Sequence, residues 1–165
     1  MDVSAGQLLE RVPQDSPWVE YIAAAFVQRD IGLHLAIFAE PFLSRAICGE
    51  KTIESRFSRN RCAPFDVVGD GDIILMKAVG GPICGLAIVK QAWFFDLAFR
   101  PLDQIRATFG ARICAEDDFW DSRSDAAYAT LIELTKPIEI APLQCNKHDR
   151  RGWVSLRSRQ MVLQF

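Results

Sequence analysis

The segment Gly-Glu-Lys-Thr-Ile-Glu-Ser-Arg at positions 49–56 joins a glycine to four ionisable side chains. Its centre favours extended backbone, because the β-branched Thr52 and Ile53 fit a pleated surface better than a helix. Alternate residues of a strand share a face, so Glu54 and Arg56 are predicted to point to the same side. A carboxylate and a guanidinium placed in this way can pair, and together they can hold a polar ligand.

The flanks of this segment predict a strand, a helix and a second strand around it. Residues 33–38 form a short apolar strand, and residues 40–48 form a helix that Gly49 ends with a left-handed turn. Downstream, the Gly-Asp pair at 71–72 is expected to open a strand at 73–79. That strand is apolar along most of its length, which is typical of a strand buried on both faces.

The same rules give the remaining elements. An amphipathic helix is predicted from Pro17 to about residue 29, because apolar residues recur there with helical spacing. A strand starting at Tyr128 is expected to stop before Pro137, since proline removes a ladder hydrogen bond. The other predicted elements are a helical segment at 5–12, strands at 83–90, 153–156 and 161–165, and helices at 102–109 and 116–121.

The pattern Gly-x-Lys-x-x-Glu-x-Arg, filled by Gly49, Lys51, Glu54 and Arg56, resembles the signature of the ASCH family, which is similar to the PUA domains. In that family the motif is followed by a Gly-Asp pair that opens the next strand, and here the motif at 49–56 is followed by Gly71 and Asp72. The resemblance covers residues 33–156, roughly, and it implies what the fold should be.

The resemblance implies an α+β fold: a PUA-like mixed β-barrel of about five to seven strands with peripheral helices. Residues 1–31 are then expected to be an N-terminal helical extension, and residues 32–165 the ASCH (PUA-like) domain. The extension is expected to pack on the barrel rather than to serve a dimer. Many members of this superfamily bind RNA or modified bases.

The composition describes an ordinary globular domain with local basic stretches. The 165 residues carry a net charge of −2, which does not by itself indicate a nucleic-acid-binding protein. Residues 51–61 nevertheless hold four basic side chains against one acidic, and residues 147–159 hold five against one. Such stretches could guide a polyanion to one face, or they could be solvated loops.

The cysteine count and the hydropathy set further expectations. Five cysteines occur without a Cys-x-x-Cys pair and with only two histidines, so we expect neither disulfides nor a zinc site. No signal-peptide or membrane-spanning segment is evident. The sequence therefore predicts a cytoplasmic protein with no metal, no cofactor and no membrane partner; its oligomeric state is left open.

A base or nucleotide site needs cations for phosphate, a planar surface for stacking, and fixed polar groups for base edges. Glu54 and Ser55 are candidates for the base edges, unless Glu54 only pairs with Arg56 to close the barrel mouth. The segment 147–153 offers a second basic loop. The candidate cations are Lys51, Arg56, Arg59, Arg61, Arg150 and Arg151, and the candidate rings are Trp93, Trp120 and Trp153, of which Trp153 could instead fill the core.

Hydrolytic chemistry is the alternative. Some ASCH-like proteins resemble amidohydrolases whose nucleophile is a threonine three residues after the motif lysine, but here that position is Glu54. The downstream carboxylate of that group could be Glu116 or Asp117. Others resemble ribonucleases, and metal-independent cleavage of single-stranded RNA needs a base, an acid and a cation. Lys51 and Glu54, joined by Tyr128 or Ser124, are the candidate catalytic groups.

The sequence thus predicts an ASCH-type protein that binds RNA, a nucleotide or a modified base in a cleft lined by the motif. A hydrolase acting on RNA or nucleosides is the second hypothesis. A domain whose cleft binds a peptide or protein is the third.

Overall fold

The computed structural model describes residues 2–146 and 150–160 and has an α+β fold built on one six-stranded sheet. Within those residues no helix is long and apolar enough to cross a membrane. The helices are α1 (Ala5–Leu9), α2 (Trp18–Val27), α3 (Phe42–Ile47), α4 (Leu102–Ile113) and α5 (Asp117–Asp121), and the strands are β1 (Leu33–Phe38), β2 (Ile53–Ser58), β3 (Ile73–Ala78), β4 (Ile83–Asp96), β5 (Tyr128–Leu143) and β6 (Trp153–Arg157).

The sheet has the strand order β2-β5-β4-β3-β1-β6 and curls into a half-barrel. Strands β1 and β3 are parallel, and the other neighbours are antiparallel. The two edge strands, β2 and β6, approach each other without pairing, and we call the gap between them the seam. The mixed barrel-like sheet and its strand number confirm the predicted fold.

The core lies on both faces of the sheet. On one face, Leu8 of α1 and Ile22 of α2 are fully buried against Leu35 and Ile73. Burying a side chain of this kind contributes about 1.5–3 kcal/mol, so the N-terminal helices are held to the sheet by apolar contact. The opposite face buries a second cluster around Ile74, together with residues of α3.

The positions of β1, α3 and β3 agree with the sequence prediction to within two residues at each end. The predicted end of β5 at Pro137 is wrong, because the strand continues to Leu143. The register of β4 against β5 shifts at this point, and Lys136 has a positive φ of 49°. Proline is tolerated at such a bulge, where the ladder hydrogen bonds are already interrupted. The predicted strand at 161–165 lies outside the described residues.

Strand β4 runs to Asp96 and ends with the aromatic residues 93–95, as the sequence also indicates. Helix α4 is longer than predicted, because it extends past residue 109 to Ile113. The extra turn of α4 matters for the site. It carries the Ile113 carbonyl to the motif, and α4 ends immediately afterwards at Cys114, which has left-handed backbone.

Candidate ligand-binding cleft

Lys51 is buried just before β2, with 2% of its surface exposed. Its ammonium donates hydrogen bonds to the carbonyl oxygens of Ile53 (2.7 Å) and Ile113 (2.8 Å) and lies 3.4 Å from a carboxylate oxygen of Glu54. Burial lowers the pKa of Lys51, while Glu54 opposes that effect. An ammonium has three N–H donors, and these three contacts occupy all of them. The hydrogen bond to Ile113 also connects the end of α4 to the motif.

Glu54 and Arg56 lie on one face of β2, as predicted. Oε1 of Glu54 and Nε of Arg56 are 2.8 Å apart, and 21% of the Arg56 side chain is exposed. The guanidinium also donates to the carbonyl oxygen of Ile37 on β1 (2.8 Å) and to that of Gly152 beside β6 (3.1 Å). Arg56 therefore spans the seam, and Glu54 is held between two cations.

The motif side chains line an open cleft of about 390 Å³, which we call the motif cleft. Its walls include three half-buried phenyl rings, those of Phe42, Phe57 and Phe119. Arg123 closes one side, with its guanidinium 4.4 Å from the centre of the Phe119 ring. The motif side chains thus border a hollow, while the Glu54–Arg56 pair also bridges the seam, as the alternative of a closed barrel mouth expects. The polar lining consists of Lys51, Glu54, Ser55, Arg56 and Arg123.

Two further cavities adjoin the motif cleft around Arg56 and Gly152. One, of about 520 Å³, occupies the seam and is bordered by Arg56 on one side and by residues 151–155 on the other; we call it the seam cavity. A smaller cavity of about 260 Å³ is lined by Arg150 and Arg151 together with Lys77. Arg150 and Arg151 are exposed, so the structure brings this part of the predicted second basic loop beside the motif.

The remaining predicted cations lie away from the motif cleft. Arg59 pairs with Asp125 at the exposed surface. Arg61 is exposed and stacks over the rings of Phe65 and Tyr128, 5.7 and 5.2 Å from their centres. Neither arginine is among the side chains that line the cleft.

Tyr128 is not brought to Lys51. The register pairs Tyr128 with Ser58 at the far end of β2, whereas Lys51 precedes Ile53 at the near end. Five residues of strand separate these ends by about 17 Å. Ser124 is exposed and is likewise absent from the cleft lining. A joint catalytic role for Lys51, Glu54 and Tyr128 stays a prediction from the sequence.

The three candidate tryptophans are mostly core residues. Trp120, on α5, is 3% exposed and packs in an apolar cluster with residues of α4. Trp93 packs against Phe109, with the ring centres 5.3 Å apart. Trp153 is 4% exposed and packs beside His34, but it also lines the seam cavity. The rings that face the motif cleft are instead phenylalanines.

A further polar cavity of about 460 Å³ is lined by Glu50, Arg106 and Glu116 among others. Asp117 pairs with Arg106 near its rim. Neither Glu116 nor Asp117, the two alternatives for the downstream carboxylate of the amidohydrolase group, lines the motif cleft. Across residues 2–146 and 150–160, no group of three or more His, Cys, Asp or Glu side chains is arranged to hold a metal ion.

Sequence reasoning missed two features of the site. Arg123 follows an acidic stretch and belongs to no motif, so only the position of α5 brings it to the cleft. The second is Gly152, whose carbonyl and lack of a side chain accommodate Arg56. A Cβ on Gly152 would lie 2.9 Å from Nη1 of Arg56. The sequence shows the glycine in the second basic loop, but it does not show that Arg56 contacts it.

The chain matches no protein-family model, and no curated protein matches its sequence. Its fold does have solved counterparts. The ASCH protein of Zymomonas mobilis superposes with a TM-score of 0.62 at 15% identity, over 79% of this chain and 90% of that one. A Tyr→Phe variant of the same protein gives 0.61 at 16% identity, over 76% and 90%. A Ser→Ala variant gives 0.61 at 16%, over 78% and 91%. The ASCH-type architecture expected from the motif is thus confirmed.

Proposed function

We propose that this protein, which has the ASCH fold, binds a nucleotide or the bases of single-stranded RNA in the motif cleft. The observation that carries the proposal is the composition of one cleft wall: Glu54, Arg56 and Arg123 lie beside half-buried phenyl rings. Recognition of single-stranded RNA combines stacking on aromatic rings and guanidinium planes with hydrogen bonds to base edges.

Glu54 is the group best suited to a base edge. Its carboxylate borders the cleft and is oriented by Lys51 on one side and Arg56 on the other. A carboxylate can accept hydrogen bonds from exocyclic amino and ring N–H groups of a base. Lys51 acts on the ligand through Glu54, because two backbone carbonyls and that carboxylate occupy its ammonium.

The phosphate groups of the ligand would be bound at the rim of the cleft. Arg123 lies at one side, and the exposed Arg150 and Arg151 line the adjoining cavity that shares Gly152 and Val79 with the motif cleft. Guanidinium groups match phosphate oxygens in a bidentate way. A cleft of about 390 Å³ accommodates one base, so neighbouring nucleotides would follow the rim.

The experiment is fluorescence anisotropy of a labelled single-stranded RNA at several salt concentrations. Arg123→Gln should weaken binding and flatten the plot of log affinity against log salt, by about 0.7 for one lost phosphate contact. Glu54→Gln should weaken binding with little change in that slope. The matched control is Arg100→Gln, whose guanidinium also stacks on a phenyl ring, 5.4 Å from Phe95, outside the cleft.

Equal affinity for the wild-type protein and for Arg123→Gln and Glu54→Gln would show that the motif cleft is not the binding site. A thermal-shift screen of nucleosides and nucleotides tests the free-ligand form of the same proposal, since a ligand that binds the folded state raises the melting temperature.

A further inference from the structure

A second polar constellation lies beside the seam, between β6 and its neighbour β1, and outside the motif cleft. Ser155 on β6 faces His34 on β1, with 3.0 Å between Oγ of Ser155 and Nδ1 of His34. The other ring nitrogen of His34, Nε2, lies 3.0 Å from Oδ2 of Asp72. A hydroxyl, an imidazole and a carboxylate are therefore connected in one chain of hydrogen bonds.

The proton positions in this chain follow from Asp72. This carboxylate is fully buried and also accepts hydrogen bonds from the backbone N–H groups of Gly32 (2.6 Å) and Gly69 (2.8 Å) and from Nε of Arg159 (2.7 Å). Burial alone would raise the pKa of Asp72, but the hydrogen bonds, with His34 first among them, hold it below its ordinary value.

Because Asp72 is a carboxylate, Nε2 of His34 carries the proton and donates to it. Nδ1 then presents its lone pair to the hydroxyl of Ser155. This is the arrangement of a nucleophile, a base and an orienting acid, with the two ring nitrogens exchanged relative to the usual serine-hydrolase triad. The ring itself is held, since His34 is 1% exposed and packs against Trp153.

Ser155 also has access to a space for a substrate. It is half-buried and lines the seam cavity of about 520 Å³, whose walls include Phe57 and Pro64. Trp153 lines the same cavity, is 4% exposed, and its indole N–H has no hydrogen-bond acceptor among residues 2–146 and 150–160. Buried polar groups are normally paired, and this unpaired donor belongs to a residue two positions before Ser155 on β6.

We propose that Ser155, His34 and Asp72 form a nucleophilic site that opens on the seam cavity and accepts small esters with an apolar acyl group. The site goes beyond the proposed binding function and uses different residues. Trp153 would donate to the acyl oxygen, and the carbon-rich walls of the cavity would hold the acyl chain.

The reaction requires only water as a second reactant. Oγ of Ser155 bonds to the carbonyl carbon as its proton passes to Nδ1 of His34, and the carbonyl electron pair moves onto oxygen. The tetrahedral intermediate collapses, the bond to the leaving alcohol breaks, and the alcohol takes the proton from His34. Water then attacks the acyl-serine with His34 as base, releasing the carboxylic acid and restoring the Ser155 hydroxyl.

A fluorophosphonate probe tests the nucleophile, because it forms an Oγ–P bond with an activated serine and expels fluoride. The wild-type protein should carry one adduct, located on Ser155 by peptide mapping, and should release p-nitrophenolate from p-nitrophenyl butyrate. Ser155→Ala should abolish both signals. His34→Gln should slow labelling by about 10²-fold or more, the typical contribution of a general base.

The matched control is Ser44→Ala. Ser44 on α3 is exposed, its hydroxyl donates to a carboxylate oxygen of Glu40 (2.9 Å), and it lines none of the cavities described above. This variant should label like the wild-type protein. Because the RNA-binding test uses Glu54 and Arg123 whereas the labelling test uses Ser155 and His34, the failure of one proposal leaves the other unaffected.

The peptide map of the wild-type adduct decides the proposal even if His34→Gln does not fold. An unlabelled wild-type protein, or an adduct on a residue other than Ser155, would overturn it. Equal labelling rates for folded His34→Gln and wild type would overturn it as well. In each of these cases the hydrogen-bonded chain has only a structural role.

Discussion

The Arg56 guanidinium donates a hydrogen bond to the carbonyl oxygen of Gly152 across 3.1 Å, although 96 positions of sequence separate the two residues. A second donor of the same guanidinium reaches the carbonyl of Ile37 at 2.8 Å. Since β2 and β6 are the two edges of the sheet, this side chain bridges the open side of the half-barrel. It also separates the motif cleft from the seam cavity, because it lines both.

Arg56→Lys should therefore destabilise the fold although it keeps the charge. A lysine ammonium cannot reach both carbonyls with the planar fork of a guanidinium. Hydrogen bonds that involve a charged group contribute about 1.5–3 kcal/mol, so we expect a loss of that order in the free energy of unfolding, measured in urea. The control is Arg59→Lys, whose side chain is 76% exposed and should change stability by less than about 0.5 kcal/mol.

Gly152→Ala tests the same contact from the other strand. The added Cβ would lie 2.9 Å from Nη1 of Arg56 and would push the guanidinium off the carbonyl. The double variant with Arg56→Lys should then be less destabilised than the sum of the two single variants, because both remove one interaction. Strict additivity in this cycle would mean that the two residues do not act together.

Lys51→Met should cost about 3–5 kcal/mol of unfolding free energy, because it breaks a buried ion pair and leaves the carbonyls of Ile53 and Ile113 without their donor. Lys90→Met is the matched control. Lys90 is 64% exposed and pairs with Glu133 at 3.0 Å, and exposed pairs contribute at most about 1 kcal/mol. Urea unfolding of both variants at neutral pH makes the comparison; similar small losses would contradict a structural role for Lys51.

The pH dependence of Lys51 has a definite sign. Burial lowers its pKa in the folded protein, so between that value and the ordinary pKa of about 10.4 the unfolded chain binds more protons. Stability attributable to Lys51 therefore increases as pH rises through this interval. The difference in unfolding free energy between the wild-type protein and Lys51→Met should widen toward alkaline pH, which urea titrations at several pH values measure; a narrowing difference would contradict the burial effect.

Asp72 controls the acid limb, where stability also rises with pH. Its pKa lies below the ordinary value of about 3.9 despite burial, so its contribution is present at neutral pH and is lost as pH falls through the folded-state pKa. Asp72→Asn should be destabilised at pH 7 by about 1–3 kcal/mol for each donor left unpaired. It should then lose less stability than the wild-type protein between pH 7 and pH 3.

Asp125→Asn provides the control for that experiment. Hydrogen bonding to Arg59 lowers the pKa of Asp125 too, but this pair lies at the exposed surface. Its removal should leave the acid unfolding curve close to that of the wild-type protein. An acid limb that is the same in wild type and Asp72→Asn would contradict the assignment to Asp72.

Gly32→Ala should be strongly destabilising for a steric reason. Its Cβ would lie 2.7–2.8 Å from the carboxylate of Asp72, which is fixed by its four donors and cannot move aside cheaply. Gly6→Ala in α1 is the counterpart, because its nearest neighbour would be 4.0 Å away. In a helix that replacement should stabilise by about 0.5–1 kcal/mol. Thermal melts of the two variants should therefore shift in opposite directions.

How far the sequence predicts this structure differs from element to element. The apolar runs at β1 and β3 and the closing glycine after α3 are local signals, and they placed these elements to within two residues. The predicted end of β5 at Pro137 was wrong for an equally local reason. A proline normally ends a strand, but Pro137 lies where the β4–β5 register already shifts. A bulge of that kind depends on the partner strand, which the local pattern does not contain.

Strand periodicity predicted that Glu54 and Arg56 would share a face of β2. It assigned Lys51 to the other face, and Lys51 contacts Glu54 because it lies just before the strand begins at Ile53. What each of them contacts was decided by the tertiary structure. The ammonium of Lys51 meets α4, Arg56 meets Gly152, and His34 meets Ser155 from 121 positions away. Periodicity assigns a residue to a face of its own strand, whereas only the curl of the whole sheet decides which distant strand that face will meet.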